Sequence, residues 1–183
     1  MSDTDDGSSA SGDPRLIRAW SAGCASGEEA YSLAILLSQM GLGDEASVLG
    51  TDISQAALAT ARGGRYRDWS LRGASPDFMA RYFRSAGPSW SLIEPVKRCV
   101  RFAFLNLALD AYPSHVSSTH AMDLILCRNV LIYFDAWTVE QVARRLRESL
   151  APGGWLYVGH SESLRAEAAM FRAIGKSIYR KTQ

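Results

Sequence analysis

Arg18-Ala-Trp-Ser-Ala-Gly-Cys-Ala-Ser-Gly-Glu-Glu-Ala-Tyr-Ser32 is the stretch on which the fold turns. With Leu16 and Ile17 ahead of it, its first half makes an apolar, β-favouring run from Leu16 to Ala22 that stops at Gly23, which predicts a strand running into a turn. Its second half opens a helix. From Gly27 to Met40 the residues Ala30, Leu33, Ala34, Leu37 and Met40 recur at helical spacing, and Glu28 and Glu29 sit in the first turn, where the helix dipole favours acids. Gly41 and Gly43 end it. Between strand and helix lies a run of small residues, Ser21 to Gly27, in which Ala22 and Gly23 let backbone approach a ligand and the helix N-terminus offers unpaired N–H groups. Small residues also serve a tight turn, so this loop alone does not decide between binding and packing. It has neither a Gly-x-Gly-x-x-Gly fingerprint nor the Lys-Ser or Lys-Thr of a phosphate loop, which disfavours dinucleotide and nucleoside-triphosphate binding.

Outward from this unit the alternation repeats. Ser47 to Gly50 is a second short strand closed by Thr51 and Asp52, and Ser54 caps a helix from Gln55 to Arg62. Such strand–helix alternation predicts a parallel sheet covered by helices. After Gly63 and Gly64 the pattern breaks. Ser75 and Pro76 start a short helix through Phe83, and Ser89 to Ile93 with Cys99 to Leu105 read as the two strands of an inserted hairpin, a subdomain of approximately residues 85–103. Met122 to Cys127 is an apolar strand. Asp135 then caps a helix with Val139, Val142, Leu146 and Leu150 on one stripe, and Pro152-Gly-Gly154 terminates it. Trp155 to Gly159 is another strand, and Met170 to Ile174 with Ser177 to Lys181 form an antiparallel pair through Gly175.

Composition bounds the rest. A chain of 183 residues with 47% hydrophobic and 21% charged residues favours one domain with one sizeable core, here 15–183. Residues 1–14 carry four Asp and no basic residue, and read as a disordered leader or linker. They lack the features of a signal peptide, and no apolar run approaches a membrane span, which predicts a soluble, cytoplasmic protein without membrane insertion. Cys24, Cys99 and Cys127 form no Cys-x-x-Cys pair, and His115, His120 and His160 have no metal-ligand spacing, so no disulfide framework and no metal site is expected. The net charge of +1 conceals a basic segment, Arg62 to Arg101, of net +6, either a solvated face or a surface for an acidic partner.

Two carboxylates stand where a nucleoside cofactor needs acceptors. Asp52, at the end of the second strand, can accept from both hydroxyls of a ribose, or can simply flank its helix. Glu28 is placed to pair with an ammonium such as that of a methionine moiety, or to complement the helix dipole.

Six ordered motifs carry a resemblance: Arg18 to Ser32, Gly50-Thr-Asp-Ile53, Gly64-Arg-Tyr-Arg67, Phe104-Leu-Asn-Leu107, Asp123-Leu-Ile-Leu-Cys-Arg-Asn-Val-Leu-Ile-Tyr-Phe134 and Gly159-His-Ser-Glu162. In these the chain resembles the CheR-type methyltransferases, which esterify glutamate side chains of chemotaxis receptors. The resemblance implies an α/β fold, a seven-stranded class I S-adenosylmethionine-dependent sheet, mostly parallel with an antiparallel last strand. It places cofactor contacts on Ala22, Gly23, Glu28, Asp52, Ile53, Asn106, Leu107, Arg128 and Asn129. Tyr133 would face the methyl group, with Arg128 beside it as a second catalytic residue. The implied cofactor is S-adenosylmethionine, with S-adenosylhomocysteine as product. The implied partners are Glu-rich helices of chemotaxis receptors or similar signalling proteins, and the basic insertion matches a β-subdomain that binds a receptor tail in some members. Family members also carry a helical N-terminal domain, where this sequence has the acidic leader; cofactor affinity and acceptor choice are the properties this departure touches. The alternatives are a cofactor-binding regulatory module without turnover and a methyltransferase for another acceptor. Nucleic-acid methylation is disfavoured because no Asn-Pro-Pro-Tyr-like motif or aromatic stacking motif occurs.

Overall fold

The structure, a computed structural model, describes residues 16–164 and 171–182; the acidic leader and Met170 lie outside them. In chain order the first elements are β1 (Ile17–Ala22), α1 (Glu28–Gln39), β2 (Ala46–Asp52), α2 (Gln55–Gly63), β3 (Arg65–Tyr66), α3 (Pro76–Tyr82), β4 (Phe83–Ala86) and β5 (Ser89–Leu92). There follow α4 (Glu94–Arg98), β6 (Val100–Phe104), β7 (Met122–Cys127), a 3-10 turn (Leu131–Tyr133), α5 (Ala136–Ser149), β8 (Leu150–Val158), β9 (Phe171–Gly175) and β10 (Ile178–Lys181). Seven strands make one sheet in the order β6-β2-β1-β7-β8-β10-β9. Neighbours from β6 to β8 are parallel, and β10 is antiparallel to both β8 and β9. The strand order therefore reverses direction between β1 and β7, which makes the carboxyl ends of these strands the place for a crevice.

Three of the helices begin on side-chain caps. Ser54 Oγ accepts from the Ala57 N–H at the start of α2, Ser75 Oγ from Phe78 N–H at α3, and Asp135 from Thr138 N–H at α5. Two cores result, one on each face of the sheet. Ala30, Leu33, Ala34 and Leu37 of α1 pack with Leu58 of α2 on one face, and Val142, Ala143 and Leu146 of α5 pack with Ile125 and Leu156 on the other. Each fully buried aliphatic side chain such as Ile125 or Leu146 contributes roughly 1.5–3 kcal/mol. Buried Trp20 spends its indole N–H on Thr51 Oγ1 at 2.9 Å, which ties β1 to β2 just below the crevice.

Two expectations change. The inserted hairpin is β4 with β5, extended by β3 into a three-stranded antiparallel sheet. The run expected as its second strand, from Cys99 onward, supplies β6 instead, which pairs in parallel with β2 from Val48↔Val100 to Asp52↔Phe104. Gly50 enables this approach, since a Cβ there would meet the Phe102 ring at 2.6 Å. The second change concerns Pro152-Gly-Gly154, which does not end α5. The helix stops at Ser149, and the triplet lies within β8, where the register to β7 shifts between Met122 and Leu124. Gly154 fits there because a Cβ would come within 2.8 Å of the Met122 carbonyl oxygen. Among the described residues no helix is long and apolar enough to cross a membrane.

Candidate cofactor cleft

Where β1, β2, β6 and β7 end, their following loops enclose a cleft of about 430 Å³. Gly23 and Ala25 come from the loop after β1, Asp52 and Ile53 from the end of β2, and Leu105 to Leu107 from the loop after β6. Asn129, Val130, Tyr133 and Phe134, after β7, close the remaining side. Gly23 is required by both conformation and space: its φ is +82°, and a Cβ would stand 2.3 Å from Cγ2 of Val130 across the cleft floor.

The loop after β1 does not present its backbone as an anion cradle. The N–H groups of Gly23 and Cys24 donate to the Thr51 carbonyl at 2.8 and 2.9 Å, and that of Ala25 donates to Asp52 Oδ2 at 2.8 Å. With those donors satisfied internally and carboxylates at Asp52, Glu28 and Glu29 nearby in the chain, a phosphate finds little to hold it. Asp52 is itself fixed, since Oδ1 accepts from Ser54 N–H at 2.8 Å. Each carboxylate oxygen retains a second lone pair, so two acceptors remain, held at a defined spacing. This is the donor–acceptor chemistry that a ribose diol and a cationic cofactor fit. Asn106 is organised by an Asx-type turn, its Oδ1 accepting from Ala108 and Leu109 N–H, which leaves its amide NH2 as the group it can offer a ligand.

Of the residues singled out in the sequence, Gly23, Asp52, Ile53, Asn106, Leu107, Asn129 and Tyr133 come together on this cleft, while Ala22 is buried behind it at the end of β1. Tyr133 stands on the lip, 80% exposed, so its ring is free to meet a second molecule. Glu28 goes elsewhere. Its carboxylate accepts from Ser26 Oγ at 2.7 Å and Ser70 Oγ at 3.2 Å and lines a separate cavity of about 130 Å³ between α1 and the segment after β3. Glu29 takes the inward place, accepting from Ser21 Oγ at 2.7 Å and pairing with Arg128 at 3.2 Å. Consecutive helix positions point about 100° apart, and Glu29 lies four residues before buried Leu33 on the same face. Glu28 likewise precedes buried Tyr31 and Ile35 at helical spacing, so phase does not separate the two acids; Ser21 and Arg128 do. Arg128 thus reaches the cleft's neighbourhood as the partner of Glu29 and does not line the cavity itself.

Glu162, present in the sequence within the Gly159-His-Ser-Glu162 motif but without a role there, is 5% exposed. Its Oε1 accepts from the N–H groups of Val130, Leu131 and Ile132 at 2.8, 2.8 and 3.3 Å, and its Oε2 from that of Asn129 at 2.9 Å and from that of Gly159. Asn129 holds a left-handed φ of 59°, which asparagine tolerates better than most residues. Nearby thiols are quiet. Burial, assisted by the charge of Asp52, pushes the Cys24 thiol up to about 12, and burial also raises that of Cys127.

A mostly parallel seven-stranded sheet with one antiparallel strand near its edge, and a cleft at its switch point that holds the Asp52 carboxylate, define the nucleoside-cofactor methyltransferase class. In agreement, a TehB-like SAM-dependent methyltransferase from Corynebacterium glutamicum shares the fold with a TM-score of 0.52 at 15% identity, over 92% of this chain and 80% of that one. The chain belongs to the CheR methyltransferase family, whose SAM binding domain model matches residues 6–180, and its cofactor is accordingly S-adenosylmethionine. It is 39% identical over 163 residues to chemotaxis protein methyltransferase 1 of Pseudomonas aeruginosa, covering 85% of this chain and 57% of that protein. It is 37% identical over 169 residues to the chemotaxis protein methyltransferase of Escherichia coli K12, covering 88% of this chain and 57% of the relative. The chain thus spans a little over half the length of these curated relatives.

Proposed function

We propose that this chain is the catalytic domain of a cytoplasmic protein-glutamate O-methyltransferase acting on methyl-accepting chemotaxis receptors or related signalling proteins. The observation that carries the reading is the cleft itself: Asp52 is held by two backbone N–H groups with lone pairs to spare, and the adjacent loop spends its own donors internally. When bound, S-adenosylmethionine supplies an electrophilic methyl group on a sulfonium, which a glutamate carboxylate, ionised at neutral pH with a pKa of about 4.3, attacks without a general base. The chain's residues then have to bind, orient and exclude water. Asp52 would hold the ribose hydroxyls, and Asn106 with Leu107 would meet the adenosine. Ile53 and Asn129 would complete the cofactor's walls, and Tyr133 on the lip would face the transferred group. Arg128, oriented by Glu29, would supply positive charge where the incoming carboxylate approaches, the term expected to matter most when alignment is the whole of catalysis.

The basic surface of the three-stranded subdomain is the reading's docking face for a Glu-rich helix. Arg65, Arg67 and Arg81 are exposed there, whereas Lys97 pairs with Glu94 at 3.0 Å and packs beside Gly64, so it is no free surface charge. Calorimetric titration with S-adenosylmethionine, followed by methyl transfer to Glu-rich receptor fragments, tests the reading. Binding with transfer supports it; binding without transfer to any such fragment points to a regulatory module, and no binding removes it.

A further inference from the structure

Glu162 stands behind the cleft wall, outside every group assigned above to cofactor or acceptor. A carboxylate that is 5% exposed is costly to bury unless its charge is compensated, and among the described residues no cation pairs with it. Its compensation consists of five backbone N–H groups, and four of them belong to one unbroken segment, Asn129 to Ile132. In that segment Asn129 and Val130 line the cleft directly after β7, and Leu131 and Ile132 begin the 3-10 turn that presents Tyr133. The fit on the other side is equally close: a Cβ on Gly159 would lie 2.4 Å from Glu162 Oε2.

We propose that Glu162 is the positioning residue of the active site, an internal anion that fixes the Asn129–Tyr133 wall and so sets both the cofactor contact of Asn129 and the aim of Tyr133. This rests on the methyltransferase reading and deepens it. The two carboxylate oxygens divide the work. Oε1 gathers the three donors that begin the turn toward Tyr133, while Oε2 joins Asn129 to Gly159 at the end of β8. Val130, carried on the same segment, is the side chain against which Gly23 closes, so the anion's influence reaches the opposite loop through one contact. A core tether would need only one such bond; convergence of consecutive amides on one charge specifies the conformation of every residue between them.

Glu162→Gln separates the two halves. The amide can keep one oxygen on Val130, Leu131 and Ile132, but its NH2 then faces the N–H groups of Asn129 and Gly159, donor against donor. Gly159→Ala keeps the charge and displaces the carboxylate by steric contact. Both variants, in the full chain and at a temperature where circular dichroism shows them folded, are measured for S-adenosylhomocysteine affinity, for KM and kcat of methyl transfer to a receptor fragment, and for amide hydrogen exchange.

The expected result is faster exchange confined to residues 129–133 and 159, S-adenosylhomocysteine affinity weakened about tenfold, and kcat lowered up to about a hundredfold, as misplacement of about 1 Å produces. Glu162→Asp, which retains the charge but lacks a methylene of reach, falls between. Folded variants with wild-type affinity and kcat, whatever their melting temperatures, overturn the proposal. Three variants that never fold also overturn it, because Glu162 then serves the fold as a whole. A wild-type chain that fails to bind S-adenosylhomocysteine refutes instead the cofactor reading on which the proposal rests.

Discussion

Replacing Asp52 with alanine is the perturbation whose size follows most directly from the geometry. In the folded protein Asp52 accepts two backbone bonds of 2.8 Å, from Ala25 and Ser54 N–H, at an exposed edge where water can replace it. The cost to the empty fold is therefore small, on the order of 1 kcal/mol. With cofactor in place two further bonds from ribose hydroxyls to the same carboxylate are lost, each worth about 1.5–3 kcal/mol because the acceptor is charged. Taking the lower figure for both gives about 3 kcal/mol, a loss of more than about a hundredfold in affinity. The loop carrying Ala25 also loses its anchor, which adds to the effect. Calorimetric titration of wild type and Asp52→Ala with S-adenosylhomocysteine, alongside their melting temperatures without ligand, separates the two costs. An Asp52→Ala chain that binds within threefold of wild type would refute the ribose assignment, and one that melts far below wild type would refute the exposed-edge argument.

Other consequences are more compact. Tyr133→Phe should lower turnover more than S-adenosylhomocysteine affinity, since a residue on the lip acts mainly on the transition state; equal turnover would make it a packing residue. Gly23→Ala should abolish detectable cofactor binding, because its Cβ overlaps Val130 and its φ is left-handed, and wild-type affinity would show that the floor can open. With iodoacetamide at pH 8 the folded chain should be alkylated at half-buried Cys99 and spared at Cys24, whose thiol ionises only near 12, and at fully buried Cys127; mass spectrometry reads this directly, and rapid labelling of Cys24 would contradict its burial. Charge reversal at Arg65 and Arg67 should slow transfer at limiting acceptor and flatten its salt dependence, since exposed charges are screened beyond roughly 8–10 Å near physiological salt. An unchanged salt slope would leave the basic segment a solvated face.

How far the sequence carried the reading depends on whether the deciding interaction was local. Strands such as Met122–Cys127 were legible because a strand inside a parallel sheet demands a mostly apolar run, and α2, α3 and α5 because Ser54, Ser75 and Asp135 are caps written in the chain. The partner of Val100–Phe104 was not legible. Its residues suit any strand, and the choice of β2 over the nearer β5 comes from Gly50 making room for Phe102. Pro152-Gly-Gly154 carries every mark of a terminator, yet Gly154 is there so that β8 can pass the Met122 carbonyl. Of the cleft residues at strand ends, Gly23 and Asp52 could be named from their positions after strands, whereas Asn106 and Asn129 came only with the resemblance. The choice between Glu28 and Glu29 rests on Ser21 and on distant Arg128, and the role of Glu162, present in the sequence only within Gly159-His-Ser-Glu162, rests on backbone groups some thirty residues away.

If the proposed acceptor atom is a glutamate carboxylate oxygen, the bond formed is a methyl ester, and its lability in base reveals it. The chain is incubated with methyl-labelled S-adenosylmethionine and a Glu-rich receptor fragment, and the labelled product is treated with mild alkali. Label is expected on glutamate side chains, released quantitatively as methanol because methyl esters hydrolyse in base, and abolished when the acceptor glutamates are replaced by alanine. Label that survives alkali on nitrogen, carbon or nucleic acid, from a chain that binds the cofactor normally, would contradict it.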